Sequence, residues 1–165
     1  YKIYKSYTTQ GGIKSPALFY SSKKRFSPSK KNSVMTVMDI APTILDLADV
    51  NYPRERKGAI SITGRSALDF LTNKTNNIHG NQPIGWELYG NRALIKGNHK
   101  LVLTWPPEGT GRWELYDIQS DPAEVVDISL DYPDLTKELI NDWIIYAKEN
   151  GVAVFERDIG YGRYP

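Results

Sequence analysis

The stretch of sequence that decides the fold is WELYGNRALIKGNHKLVLTW, residues 86–105. Apolar and aromatic side chains dominate two segments of it, 86–96 and 99–105, and this composition is typical of strands. Between the segments lie Gly97 and Asn98, a pair that suits a two-residue hairpin turn. The pattern therefore predicts an antiparallel hairpin with these two segments as its strands.

The residues that follow extend this hairpin into a sheet with one helix. Polar and apolar residues alternate over 112–118, which predicts a third strand. A helix is predicted over 133–150, because Pro133 suits a first helical turn and Gly151 suits the left-handed position after a helix. Apolar residues recur in this segment at helical spacing, and we expect them to line one face: Leu135, Leu139, Ile140, Trp143, Ile144 and Ala147.

The first half of the chain predicts turns, a short strand and a helix. The glycine pair at 11–12 is expected to turn the chain through positive φ angles, and the apolar residues 17–20 are predicted to form a short strand. Asp39 is a good N-cap residue and predicts the start of a helix. Ile40 and Ile44 would lie on the apolar face of that helix.

Composition excludes several classes of protein. The 165 residues include 21 basic and 19 acidic side chains, and this balance, a formal net charge of +2, argues against a nucleic-acid partner. The sequence contains no run of eighteen apolar residues, so no membrane span is predicted. It also contains no cysteine, which excludes disulfides and thiolate chemistry within these residues and slightly favours the cytoplasm.

Six motifs carry a resemblance to one enzyme family. They are TTQGGIKSPA (residues 8–17), VMDIAPTILDLA (37–48), GRS (64–66), WELYGNRA (86–93), KGNHKLV (96–102) and ELYDIQSDPAE (114–124). Each motif alone is modest, but together and in this order they resemble the C-terminal part of bacterial-type arylsulfatases. These enzymes belong to the alkaline-phosphatase-like superfamily.

The resemblance implies an α/β fold with two parts. Residues 1–82 would complete the large alkaline-phosphatase-like α/β domain, and residues 83–155 would form a small C-terminal subdomain followed by a tail, 156–165. The implied subdomain is α+β, a four-stranded antiparallel sheet with one packed helix. Because only three strands are evident, residues 125–129 are the candidate for the fourth. The polar linker 72–83 marks the predicted boundary.

Lys5 is the catalytic residue that the resemblance assigns to this chain. Considered alone, it is a lysine among tyrosines, and exposure to solvent is its expected state. In the family a lysine at this position contacts the sulfate, and a compact ammonium group suits sulfate oxygens. The resemblance therefore implies that Lys5 stabilises negative charge on a sulfate-ester small molecule while its S–O bond breaks.

The other catalytic parts are implied to lie in an upstream part of the same sulfatase. In the family a hydrated formylglycine attacks the sulfur, calcium orients the sulfate, and a histidine protonates the leaving alcohol. Residues 26–30 only echo the formylglycine motif, because Phe26 stands where the convertible Cys or Ser belongs. No residue here is predicted to bind calcium, and no other cofactor is predicted. His79 and His99 are expected to be structural or solvated, because neither has an acidic neighbour in sequence.

Several alternatives stay open at this point. The chain, expected to be inactive alone, could be an inactive fragment or an interaction module on the sulfatase scaffold. The whole protein could also be a phosphodiesterase or phosphonate hydrolase of the same superfamily. The basic segment 21–33 is predicted to be a solvated loop, and the alternative is a contact surface for an anionic partner.

Overall fold

The computed structural model describes residues 1–23, 25–52, 58 and 61–160. They fall into two compact units, one from Tyr1–Pro16 with Asn81–Pro165 and the other from Ala17–Gly80, each taken over its described residues. The helices are α1 (Gln10–Ile13), α2 (Ile40–Leu47), α3 (Leu68–Leu71) and α4 (Pro133–Glu149). The strands are β1 (Ile84–Leu88), β2 (Asn91–Lys96), β3 (His99–Leu103) and β4 (Trp113–Asp117).

The four strands form an antiparallel meander in the order β1-β2-β3-β4. The hairpin at Gly97 and Asn98 is confirmed, since these two residues connect β2 to β3. The single strand predicted over 86–96 is wrong, because the segment divides into parts of β1 and β2. Tyr89 and Gly90 at the division have φ angles of 55° and 86°, the left-handed pair that a tight hairpin turn requires. This additional turn produces the fourth strand.

Residues 125–129, the candidate for the fourth strand, do not form one. The Asp121 carboxylate accepts hydrogen bonds from two backbone N–H groups of this segment, at 2.8 and 2.9 Å, and so holds it in a turn. The Asp127 carboxylate then accepts the N–H of Leu115 at 3.0 Å. A side chain thus occupies a donor on β4 that a neighbouring strand would need.

One face of the sheet and α4 enclose the main core. Its buried members are Leu94, Leu101 and Leu115 from the sheet and Leu139, Trp143 and Ala147 from α4. The helix begins at Pro133 as predicted, and Gly151, with a φ of 63°, follows its C-terminal cap. The apolar face is narrower than predicted, because Ile144 is 55% exposed.

The predicted strand over residues 17–20 is absent, and these residues adopt no regular structure. A short 3-10 helix, Val37–Asp39, leads into α2, so the predicted helix is confirmed. Its predicted apolar face is exposed, however, at both Ile40 and Ile44. The buried residue of α2 is instead polar.

Thr43 is that buried polar residue, and hydrogen bonds explain its position. Its hydroxyl donates to the carbonyl oxygen of Asp39 at 2.6 Å and accepts the N–H of Ala67 at 2.8 Å. Ala67 directly precedes α3 and is itself fully buried. Hydrogen bonding, more than the apolar stripe, therefore connects α2 to the start of α3.

The division between the two compact units falls at residues 80 and 81, inside the predicted linker 72–83. Residues 1–16 belong to the same compact unit as the sheet. The assignment of 1–82 and 83–155 to domains of a whole protein stays a prediction. In the described part of the chain, no helix is both long and apolar enough to cross a membrane.

The packing of α4 can be tested with two neighbouring positions. Leu139 is fully buried, so Leu139→Ala should lower the free energy of unfolding by about 2–5 kcal/mol. Ile144→Ala should lower it by less than about 1 kcal/mol, because this side chain is half-exposed. Urea unfolding followed by tryptophan fluorescence measures both, since all four tryptophans lie within Asn81–Pro165. Equal losses at the two positions would contradict the observed helix face.

Candidate functional site

Residues 2–13 form a closed loop that carries Lys5, and we call it the lysine loop. The N–H of Gly11 and the hydroxyl of Thr9 both donate to the carbonyl oxygen of Lys2, at 3.2 and 2.8 Å. These two bonds bring the beginning and the end of the loop together. Lys5 is exposed, whereas residues 7–10 of the loop are buried.

The two glycines of the loop allow a close approach of its backbone. A Cβ atom on Gly11 would lie 2.1 Å from the carbonyl oxygen of Ile3, and one on Gly12 would lie 2.0 Å from that of Tyr7. No other residue fits at such distances. The prediction that this pair turns the chain through positive φ is wrong, since both glycines belong to α1. The left-handed residues are Ile3 and Ser6, with φ angles of 57° and 79°.

Lys5 lies between these two left-handed residues. A positive φ in a residue other than glycine costs on the order of 1–3 kcal/mol and persists only where surrounding contacts enforce it. No hydrogen bond or ion pair to another described residue engages the ammonium group of Lys5. The loop therefore presents an exposed cation on a constrained backbone. The catalytic role assigned to Lys5 stays a prediction.

Lys2 anchors the beginning of the lysine loop to the sheet. Its ammonium group donates to the hydroxyl of Tyr116 at 2.8 Å and to Oε2 of Glu114 at 3.4 Å. Burial by itself lowers the pKa of Lys2, but the hydrogen bonds and the negative charge of these partners outweigh burial and raise the pKa above its ordinary value. This lysine is therefore firmly charged, and its ammonium group is engaged by side chains of the sheet.

Glu124 anchors the end of the lysine loop. Its Oε2 accepts the N–H of Gln10, the first residue of α1, at 2.8 Å. Its Oε1 lies 2.7 Å from Nζ of Lys100, and both side chains are fully buried. The sequence predicted no role for either residue, because they are far apart in the chain and each type is ordinarily exposed. The hydrophobic residues around Lys100 in β3 were the only available signal that it is buried.

His79 has an acidic partner, contrary to the expectation from its sequence neighbours. Its Nε2 lies 2.8 Å from Oδ2 of Asp39, whose side chain is fully buried, and the side chain of His79 is 9% exposed. The Asp39 carboxylate also accepts the N–H groups of Thr36 and Arg65, each at 2.7 Å. It therefore joins three segments of the unit Ala17–Gly80, and does not cap α2 with its side chain as predicted.

These hydrogen bonds also set the ionisation of Asp39. Burial by itself raises the pKa of this carboxyl group, because it disfavours the charged form. The hydrogen bonds from Arg65, Thr36 and His79 favour the charged form and hold the pKa of Asp39 below its ordinary value. The group is a charged structural contact in this unit.

The remaining candidates from the sequence are dispersed. His99 begins β3, where Asp117 of β4 lies opposite, so it too has an acidic neighbour. In the basic segment 21–33, Arg25 donates to a backbone carbonyl at 3.0 Å and Lys31 donates to the side chain of Asn73 at 2.6 Å. Arg25 is nevertheless exposed, as predicted for a solvated loop, whereas Lys31 is only partly exposed. Lys24 of this segment lies outside the described residues.

The described residues do not fit a calcium site. Among them, no group of three or more His, Asp or Glu side chains lies close enough together to hold a metal ion. Calcium takes six to eight oxygen ligands, which these residues do not assemble.

Comparison with known proteins identifies relatives over most of the chain. Residues 4–144 match the family described as N-sulphoglucosamine sulphohydrolase, C-terminal. An uncharacterized sulfatase of Schizosaccharomyces pombe is 35% identical over 95% of this chain and 29% of its own length. Arylsulfatase K of Homo sapiens is 23% identical over 66% of this chain and 21% of its own length. The chain thus spans less than a third of either relative.

Solved structures share the fold of this chain. A sulfatase structure from work on glycosaminoglycan metabolism by Bacteroides thetaiotaomicron has a TM-score of 0.57 at 16% identity and covers 76% of this chain and 27% of that one. The structure of Ps i-CgsB has a TM-score of 0.54 at 19% identity and covers 72% and 26%. The fold class is confirmed: the C-terminal end of an alkaline-phosphatase-like α/β fold with a four-stranded antiparallel sheet and one packed helix.

The Asp39 contact predicts a pH-dependent loss of stability. The pKa of Asp39 is lower in the folded state than in the unfolded chain. The charged carboxylate therefore makes its full contribution to the free energy of unfolding above the unfolded pKa of about 4, and this contribution is lost as pH falls through the folded pKa. Asp39→Asn should therefore lower the free energy of unfolding of this unit by about 1–3 kcal/mol near neutral pH. The difference from the wild-type protein should shrink in acid.

Hydrogen exchange at the N–H groups of Thr36 and Arg65 measures this effect, since both donate to Asp39. Asp46→Asn is the matched control, because Asp46 lies exposed on the same helix. A constant difference between Asp39→Asn and the wild-type protein down to strongly acidic pH would contradict the prediction.

Proposed function

Because the chain belongs to the sulfatase family described as N-sulphoglucosamine sulphohydrolase, C-terminal, we propose that its protein hydrolyses sulfate esters and that Lys5 binds the sulfate group. The observation that carries the role of Lys5 is its exposed ammonium group, held between two left-handed residues on a loop anchored at both ends. The other cation of the loop that we have described, Lys2, is already engaged by Tyr116 and Glu114.

The proposed task of Lys5 is electrostatic. As the S–O bond breaks, negative charge grows on the departing oxygen and stays on the sulfate oxygens. An ammonium group fixed beside these atoms lowers the energy of the transition state, and it requires no reorganisation because the loop is already folded. Lysine suits this task since its charge is compact and its three N–H donors can contact separate oxygens.

We infer that an upstream part of the same protein provides the remaining chemistry. The resemblance supports a formylglycine there as nucleophile and calcium as the group that neutralises the sulfate. Among the described residues no group of three or more His, Asp or Glu side chains could hold a metal ion, and the proposed contribution of this chain is one positioned cation together with the structure that supports it. Aryl sulfates are the proposed substrate class, in line with the motifs of residues 86–93.

Replacement of Lys5 tests the proposal in the full-length protein. Lys5→Met should lower kcat for an aryl sulfate chromogen by about a hundredfold to a thousandfold, because one preorganised charge contact is lost. Lys5→Arg should restore part of the activity, since it keeps the charge. The control is Lys137→Met, which removes an exposed lysine on α4 in the same compact unit. Activity of Lys5→Met equal to that of Lys137→Met would remove Lys5 from the mechanism.

The same assay separates the alternatives. A full-length protein that hydrolyses an aryl phosphodiester or an aryl phosphonate in preference to the aryl sulfate would be a phosphodiesterase or phosphonate hydrolase. A full-length protein that is inactive on all of these substrates, with and without added calcium, would favour an interaction module on the sulfatase scaffold.

A further inference from the structure

The lysine loop is attached to the sheet through one pair of neighbouring residues. Lys100 of β3 and Tyr116 of β4 are cross-strand partners. Tyr116 binds Lys2, at the beginning of the loop, through a 2.8 Å hydrogen bond. Lys100 contacts Glu124, which in turn binds the N–H of Gln10 at 2.8 Å, at the end of the loop. Both attachments of the loop therefore converge on a single site of the sheet.

Burying Lys100 and Glu124 together costs desolvation free energy. Both side chains are fully buried, and their charged atoms are 2.7 Å apart. Removing two charges from water costs several kcal/mol for each ion. The attraction between the two charges offsets this desolvation cost only in part. Burial lowers the pKa of Lys100 to about 8 although Glu124 opposes this shift, so the lysine is still mostly protonated at neutral pH.

Stability alone does not account for such a pair, because apolar residues of similar volume often stabilise a core as well or better. The pair differs from an apolar contact in one respect. A charged Glu124 attracts Lys100 through one oxygen, and its other oxygen is a strong acceptor for the N–H of Gln10. The N–H of Gln10 is one of the unpaired donors at the start of α1, so this bond fixes where the loop ends.

We propose that Lys100 and Glu124 are positioning residues for sulfate-ester hydrolysis: the sheet holds Glu124 through Lys100, and Glu124 holds the lysine loop so that Lys5 meets the sulfate. This inference rests on the proposed function of Lys5. Glu124 itself has a φ of 58°, so its backbone is also held in a conformation that a glutamate rarely adopts. Neither residue touches the substrate; both act through the backbone at Gln10.

Two double variants of the full-length protein separate positioning from simple folding. In the first, Lys100→Met with Glu124→Gln, the charges are removed but a side-chain acceptor for Gln10 remains. In the second, Lys100→Met with Glu124→Leu, the charges and the acceptor are both removed. Neither variant leaves one buried charge without its partner, which limits the loss of stability. Hydrogen exchange at the N–H of Gln10 should be faster in the second variant than in the first.

The measured quantity is kcat for an aryl sulfate. We expect the Leu-containing variant to lose about tenfold to a hundredfold, because a displacement of about 1 Å in a catalytic group has effects of this size. The Gln-containing variant should lose clearly less. In a protein that already carries Lys5→Met, the two substitutions of the Leu-containing variant should cause no further loss of kcat, because the pair acts through Lys5.

The outcomes are distinct. If Lys5→Met alone lowers kcat but the folded Leu-containing variant does not, the positioning role is overturned while the proposed function stands. If the Leu-containing variant lowers kcat by the same factor with and without Lys5, the pair acts elsewhere and the inference is again overturned. If Lys5→Met alone has no effect, the proposed role of Lys5 fails and the inference fails with it. Should the Leu-containing variant not fold, an undiminished kcat in Glu124→Asp, which draws the acceptor back from Gln10, would overturn the inference.

Discussion

The shape of the lysine loop depends on two backbone contacts that only glycine permits. The carbonyl oxygens of Ile3 and Tyr7 lie where Gly11 and Gly12 would otherwise carry a Cβ atom. The chain that makes these close contacts also has left-handed φ angles at Ile3 and Ser6. The position of Lys5 therefore depends on the backbone on both sides of it, and among the described residues no hydrogen bond or ion pair holds its side chain.

The sheet serves two different neighbours because side chains alternate along each strand. In β3, Leu101 points into the core with α4, whereas Lys100 and Val102 point to the opposite face. That opposite face also contains Tyr116, and it receives both attachments of the lysine loop. A core that gives the unit its stability and a platform that holds the loop are thus built from the same five-residue strand. A shift of β3 by one residue would exchange the two faces and disrupt both.

The sequence predicted the parts of this structure that depend on local pattern. The hairpin at residues 97–98 and α4 were predictable because turn residues and helical spacing each specify an element without reference to distant partners. The turn at Tyr89 was missed because tyrosine seldom adopts positive φ. The roles of Glu124 and Asp39 were missed for a different reason. Each carboxylate binds groups that are remote in the chain, and no local pattern reports such contacts.

The exposed apolar face of α2 shows a further limit of prediction from the spacing of apolar residues. Helical spacing at Ile40 and Ile44 reports that one face is apolar, but it does not report what covers that face, and the described residues of the unit leave it open. The same limit applies to Lys5, since exposure is the ordinary state of lysine and carries no information about function. What distinguishes Lys5 is the backbone around it. Lys5 has two left-handed neighbours, a glycine pair packed against carbonyl groups, and a buried ion pair at the end of its loop. A lysine that only contacts water requires none of these features. Backbone strain of this kind clusters at functional sites, and it is the observation from which we propose a role for Lys5.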